Sequence, residues 1–170
     1  CLEGIRKIAE VTEDRPVFAG MIGPYSLAGR LLDMTEIMIL CYEEPEMVET
    51  VLEKVTGFLC DYARAFKEAG AHGIVMAEPA AGLLSPGLFR EFSVPYVKRI
   101  CQAAEEAGLV MIYHNCGMVE PLLGDIADIP AHGYSFGNAV NMETVLEQMP
   151  ADRLVLGNID PVGILRSGTP

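Results

Sequence analysis

The sequence predicts an α/β fold, specifically part of a (β/α)8 TIM barrel, roughly its third to seventh strands with their helices. Three observations carry this. Five short apolar runs alternate with helical stretches, which calls for parallel βαβ units. The last four runs start near residues 73, 109, 133 and 153, at barrel-like intervals. Residues able to do chemistry follow the C-terminal ends of several of these runs, where a barrel builds its active site. A doubly wound sheet would usually bring a glycine-rich phosphate loop, and neither G-x-G-x-x-G nor G-x-x-x-x-G-K-[ST] occurs.

Taken in order, residues 2–13 have helical spacing, with Leu2, Ile5, Ile8 and Ala9 on one side. Arg15-Pro16 breaks that pattern, and Val17-Phe18-Ala19-Gly20 reads as a buried strand. Met21 to Tyr25 forms a loop into a helix near Ser26–Leu40. Pro45 suits the first position of a long helix whose apolar stripe runs through Val48, Val51, Leu52, Val55, Leu59, Tyr62 and Phe66. Gly70 caps it. Gly73 to Pro79 is the second strand, closing in the carboxylate Glu78 and the proline Pro79. Ser85-Pro86 opens a helix that Pro95 interrupts, so a break is expected near Ser93 with a restart at Pro95. Gly108 ends it. The third strand is Leu109 to Tyr113, then come a short helix at Pro121–Ile129, a strand at Gly133–Phe136, a helix at Met142–Met149 and a strand at Arg153–Leu156.

The repeated Ala-His-Gly at 71–73 and 131–133 precedes two of these strands. His72 and His132 therefore sit at strand N-terminal ends, the stability face of a barrel, and read as structural.

The 170 residues allow one domain with a substantial core; 51% are hydrophobic and 21% charged, as in a folded chain. No apolar run approaches a membrane span, and no signal-peptide pattern opens the chain. A net charge of −12 without a basic cluster argues against nucleic acid as a partner. The five cysteines are odd in number, widely spaced and form no C-x-x-C. That pattern points to a reducing, cytoplasmic setting rather than to a disulfide framework. The chain lacks an initiator Met, and Gly168-Thr169-Pro170 resembles the approach to another helix. Since a whole barrel takes about 250 residues, residues 1–170 are expected to be the central portion of one barrel domain in a longer protein.

The chemistry concentrates at His114-Asn115-Cys116-Gly117. Alternate residues of an extended chain point the same way, so an imidazole and a thiolate would meet just past a strand end. Those are the side chains zinc prefers; the alternative is an ordinary cysteine beside a hydrogen-bonded histidine. Glu78, Asn138, Asn158 and Asp160 also follow strand ends. Glu78 is the candidate catalytic carboxylate, as a fourth metal ligand, a displaceable one or a base, unless it hydrogen-bonds a neighbouring loop. Asn138, Asn158 and Asp160 would line the mouth and position substrate, with Asp160 alternatively a helix N-cap before Pro161. Tyr25 and Tyr113 complete the candidate substrate-binding set as wall residues.

These segments resemble the uroporphyrinogen decarboxylase superfamily over nearly the whole chain. The resemblance is carried by Val17-Phe18-Ala19-Gly20 with Gly23-Pro24-Tyr25-Ser26-Leu27, by Ser85-Pro86 with Phe89-Arg90-Glu91-Phe92, and by Gly157-Asn158-Ile159-Asp160-Pro161 with Gly168-Thr169-Pro170. Within it, His114-x-Cys116 is similar to the H-x-C of the methylcobamide:coenzyme M methyltransferases, which bind zinc through that pair and a later cysteine. The resemblance implies a zinc enzyme that moves a methyl group from a methylated corrinoid, carried by a corrinoid protein, to a thiol or folate acceptor. It places the third thiolate beyond Pro170. Such chemistry makes sense physically, because a free thiol, with a pKa of about 8.5, is mostly protonated at neutral pH and needs activation. The alternatives are a cofactor-free uroporphyrinogen decarboxylase and a barrel that binds a corrinoid or tetrapyrrole without catalysis.

Overall fold

A computed structural model describes residues 1–169; Pro170, the end of the last segment quoted above, lies outside the described residues. Five strands form one sheet: β1 Phe18–Ile22, β2 Gly73–Ala77, β3 Val110–Asn115, β4 Gly133–Phe136 and β5 Leu154–Leu156. Every neighbouring pair is parallel and the spatial order is β1-β2-β3-β4-β5. A doubly wound sheet reverses its order at a switch point. This sheet never does, so it is singly wound, as in a barrel, and it is left open with β1 and β5 at its edges.

The helices are α1 Leu2–Val11, α2 Pro24–Leu32, α3 Met34–Glu43, α4 Pro45–Glu68, α5 Pro86–Phe92, α6 Val94–Glu106, α7 Leu123–Ala127 and α8 Met142–Gln148. Helix α4 packs between α2 and α6. Of its predicted stripe, Val48, Leu52, Val55, Leu59 and Phe66 are buried, while Val51 and Tyr62 are partly buried against the core. From the sheet, Ala19, Met21, Ile74, Met76, Met111, Tyr113, Tyr134 and Phe136 project into the same core.

The alternate strand positions form the other face, the inner side of the barrel wall. Gly20, Val75, Ala77, Ile112, His114 and Ser135 are all incompletely buried there. The register sets Ile22, Ala77, His114, Ser135 and Leu156 in one row across the five strands.

Several boundaries differ from the sequence expectation. Strand β1 continues through Met21 and Ile22, because these pair with Met76 and Ala77 of β2. The expected helix over 26–40 is two helices. Asp33 takes φ +78°, ends α2, and its Oδ1 accepts a 2.8 Å hydrogen bond from the Thr35 N–H to cap α3. The expected helix 121–129 begins as a 3-10 turn at Glu120–Leu122 and becomes α-helical only at Leu123. The break at Ser93 is present, with the new helix starting one residue before Pro95. Ser85 caps α5 by accepting from the Leu88 N–H at 3.4 Å.

Candidate functional site at the strand ends

The C-terminal edge of the sheet places His114 at the end of β3, with its side chain in the inner-face row. Opposite it in the register stands Ser135 of β4, whose Oγ lies 3.1 Å from the imidazole Nδ1. Cys116 follows two residues later with an exposed thiol.

Asn115, between them, is fully buried. Its Nδ2 donates to the Glu78 carbonyl at 2.7 Å, while its Oδ1 accepts from the Gly117 N–H at 2.9 Å. The first bond ties the β3 loop to the end of β2, and the second forms a local Asx turn that aims Cys116 outward. Gly137, after β4, completes the support. A Cβ there would lie 2.7 Å from the Cys116 Cα, so only a glycine lets the two loops pass at this separation.

Glu78 does not join His114 and Cys116. Ala77 faces inward, so the next residue turns to the opposite side, and the Glu78 carboxylate is fully buried beneath the β1–α2 loop. Its Oε1 accepts from the Ser26 N–H at 2.7 Å and from the Ser26 hydroxyl at 2.6 Å, at the N-terminal turn of α2. Its Oε2 has no partner. Burial pushes the carboxyl up to about 7, although the Ser26 donors pull the other way. Glu78 thus braces the loop, with Gly23 pressed so closely against it that a Cβ would overlap Oε2. Among the described residues, no group of three or more His, Cys, Asp and Glu side chains could hold a metal ion together.

The two tyrosines are not on the inner face. Tyr113 alternates with His114 and is fully buried towards the helices, where its hydroxyl accepts from Asn115 Nδ2 at 3.4 Å. Tyr25 is equally buried and its hydroxyl lies 3.8 Å from Cys41 Sγ. Burial raises the pKa of both phenols, so they stay neutral core residues. Asn158 clamps the β4–α8 loop by donating from Nδ2 to the carbonyls of Gly137 and Val140 at 2.8 and 2.7 Å. Asp160 Oδ1 accepts from the Val162 N–H at 2.9 Å, as an N-cap does. Asn138 is exposed beside Gly137.

Ser135 and Asn115 were not among the candidate residues read from the sequence. A lone serine in the apolar run Gly133–Phe136 was the available signal for the first, and the position between His114 and Cys116 for the second.

The structure therefore has the singly wound wall of a (β/α) barrel with an imidazole and a thiol at its strand ends. The family described as uroporphyrinogen decarboxylase (URO-D) matches residues 1–170, and the chain belongs to it. It is 30% identical to the methylcobamide:CoM methyltransferase MtbA of Methanosarcina acetivorans over 172 residues, covering 99% of this chain and 50% of that protein. It is 32% identical to MtaA of Methanosarcina barkeri, another methylcobamide:CoM methyltransferase, over 93% of this chain and 47% of that one. A chloroplastic uroporphyrinogen decarboxylase of Arabidopsis thaliana is 27% identical over 96% of this chain and 43% of its own length. Among solved structures, a methyltransferase from Methanosarcina mazei superposes with a TM-score of 0.85 at 29% identity, covering 98% of this chain and 52% of that one. The chain spans about half the length of these relatives.

Proposed function

We propose that the complete protein transfers a methyl group from a methylated corrinoid, delivered by a corrinoid protein, to a small thiol, and that His114 and Cys116 hold a zinc ion for this purpose. The observation that supports it is the placement of an inward imidazole and an exposed thiol at one strand end, in a chain similar to methylcobamide:CoM methyltransferases.

The donor set suits zinc, which takes imidazole nitrogen and thiolate sulfur. Two donors do not close a site, so the remaining ligands come from elsewhere, consistent with a chain half the length of its relatives. Zinc would supply the charge that deprotonates the acceptor thiol and holds its sulfur in place. The chain's own residues prepare this. In the tautomer whose Nδ1 donates to Ser135 Oγ, 3.1 Å away, His114 keeps the Nε2 lone pair free for the metal. Asn115 fixes the turn that carries Cys116, and Glu78 and Asn158 hold the loops on either side. Asn138 borders the mouth where the substrates would enter. The transfer itself is balanced: a carbon–sulfur bond forms as the carbon–cobalt bond breaks, and the cobalt keeps the electron pair.

The complete protein, given methylcobalamin and a thiol, should form the thioether and contain about one zinc per chain. His114→Ala and Cys116→Ser should each lose the metal and the activity. Decarboxylation of uroporphyrinogen with methylcobalamin left intact would overturn the reading in favour of the decarboxylase alternative.

A further inference from the structure

We propose that the outer face of α3, with the corner where it meets α4, is the docking surface for the corrinoid protein, and that the partner's contact surface is apolar and ringed by Lys or Arg. This rests on the methyl-transfer reading above and adds where the protein donor is held. The composition of α3 does not suit a helix with a wet side. Met34–Glu43 carries Met, Ile, Leu, Cys and Tyr around its whole circumference, and a helix apolar all round is ordinarily covered all round. Here Ile37 and Cys41 are buried, and Met34 and Leu40 partly so. Met38, Ile39 and Tyr42 lie one turn apart on the other side and are exposed, Tyr42 by 72%. Past the α3–α4 corner, exposed Met47 in the first turn of α4 lines an open cavity of about 580 Å³ with Glu43, Glu44, Pro45, Glu46 and Thr50.

Charge selects what can cover this patch. Between Leu31 and Glu53 there are seven carboxylates and no Lys or Arg. Glu43, Glu44 and Glu46, which rim the cavity, have no ion-pair partner among the described residues. A second copy of the chain docking by the same face would set these charges against one another. An anionic lipid surface would be repelled in the same way. A protein surface with an apolar centre and a basic rim satisfies both the side chains and the charge.

The position suits a protein that delivers the methyl group. Helix α4 has 24 residues and ends beside the start of β2, where the Ala71 N–H bonds the Phe66 carbonyl at 3.0 Å. It is about 36 Å long, against about 17 Å for the five residues of β2. Roughly its first half, with α3 packed against it, therefore stands beyond the strand ends, on the side of His114 and Cys116. A protein that lowers a corrin into this mouth comes against that shoulder, whereas free methylcobalamin has no need of it.

Two methyl donors separate docking from chemistry in the complete protein: free methylcobalamin, and the purified methylated corrinoid protein of the same organism. Tyr42→Ser, and the joint reversal Glu43→Lys, Glu44→Lys and Glu46→Lys, should each raise KM for the protein donor about tenfold or more. Both should leave thioether formation from methylcobalamin unchanged. Added salt should raise the parent's KM for the protein donor, and the reversal should abolish that dependence. Hydroxyl-radical footprinting should oxidise Met38, Tyr42 and Met47 in the complete protein alone and spare them once the corrinoid protein is added. Unchanged KM in both variants would overturn the proposal. So would a footprint already absent in the protein alone, which would mean that the rest of the chain covers α3. Protection that grows with the protein's own concentration would assign the face to a second copy and also overturn it. Should Tyr42→Ser fold poorly, the reversal and the footprint on the unaltered protein decide the matter. Protection by the corrinoid protein without thioether formation from either donor would leave this surface standing and overturn methyl transfer. Thioether formation from both donors without protection would do the reverse.

Discussion

His114 and Ser135 stand opposite one another in the register of β3 and β4, with the imidazole Nδ1 3.1 Å from the serine Oγ. A histidine held by one nitrogen has its other nitrogen aimed, and here both residues belong to the inner-face row. Ser135→Ala should therefore lower zinc affinity about tenfold to hundredfold, the usual cost of removing a partner behind a metal-binding histidine. Ser135→Thr, which keeps the hydroxyl, should retain most of it. Competition against a chromogenic chelator measures both. Equal affinities in all three proteins would mean that the contact only packs the sheet.

Gly137 and Cys116 supply a second test, from the opposite side of the loop. The Cβ of an alanine at 137 would lie 2.7 Å from the Cys116 Cα, 2.8 Å from its Cβ and 2.9 Å from its carbonyl oxygen. The obstacle is mostly backbone and cannot rotate away. Gly137→Ala should displace the thiol and cost about tenfold to hundredfold in methyl transfer, as small misplacements do. The overpacking itself should cost about 1–3 kcal/mol in denaturant unfolding. Activity equal to the parent would show that Cys116 tolerates movement and is not a fixed ligand.

The two Ala-His-Gly repeats act at the other end of the sheet. His72 donates its N–H to the Val17 carbonyl at 2.8 Å and accepts the Val17 N–H on Nδ1 at 3.0 Å. Its own carbonyl accepts from the Val110 N–H at 3.1 Å, so the residue bridges the starts of three strands. His132 repeats the arrangement with Met111 and Leu154. Each ring must carry its proton on Nε2 for Nδ1 to accept. Replacement by leucine strands a backbone N–H, and each single variant should lose about 1–2 kcal/mol of unfolding free energy. Neither should alter the affinity for thiols, since both lie at the end of the sheet away from the site. A shift in thiol affinity without loss of stability would contradict the structural role.

The sequence shows where the strands lie because the apolar runs are short and end in glycine, proline or a polar residue. The structural histidines were legible for a related reason, since a repeated tripeptide before two strands marks a repeated position. What the sequence hid depends on pairing between distant segments. Met21 and Ile22 look like loop until β2 pairs with them. Asp33 lies inside an unbroken helical period, and only its positive φ divides the helix. The partnership of His114 with Ser135 needs the β3–β4 register, which no local pattern specifies. Glu78 is different, because the information was present: residues 77 and 78 of a strand end face opposite ways. The expected gathering of Glu78 with His114 and Cys116 counted strand ends and neglected that alternation. Tyr113, adjacent to His114, faces the core for the same reason.

Glu78 also gives the clearest pH dependence. Its carboxyl is pushed up from 4.5 to about 7 in the folded chain, because burial penalises its charge more than the Ser26 donors favour it. Between these two values the folded state holds a proton that the unfolded state has released. Stability from this group is therefore greatest below about pH 4.5 and is lost as pH rises towards 7, after which no more is lost. The size is about 3 kcal/mol, from the pKa difference at about 1.4 kcal/mol per unit. Glu78→Gln keeps an oxygen for Ser26 and removes the charge. It should flatten this part of the pH profile and leave the complete protein more stable than the parent at pH 8. Glu78→Ala should instead destabilise at every pH, because it leaves the Ser26 N–H and hydroxyl without their acceptor. Unfolding by denaturant at pH 5, 6, 7 and 8 separates these cases. If Glu78→Gln is less stable than the parent at pH 8 and the parent shows no loss between pH 5 and 7, the carboxylate is a favourable buried anion at the α2 N-terminus, and the direction assigned here is wrong.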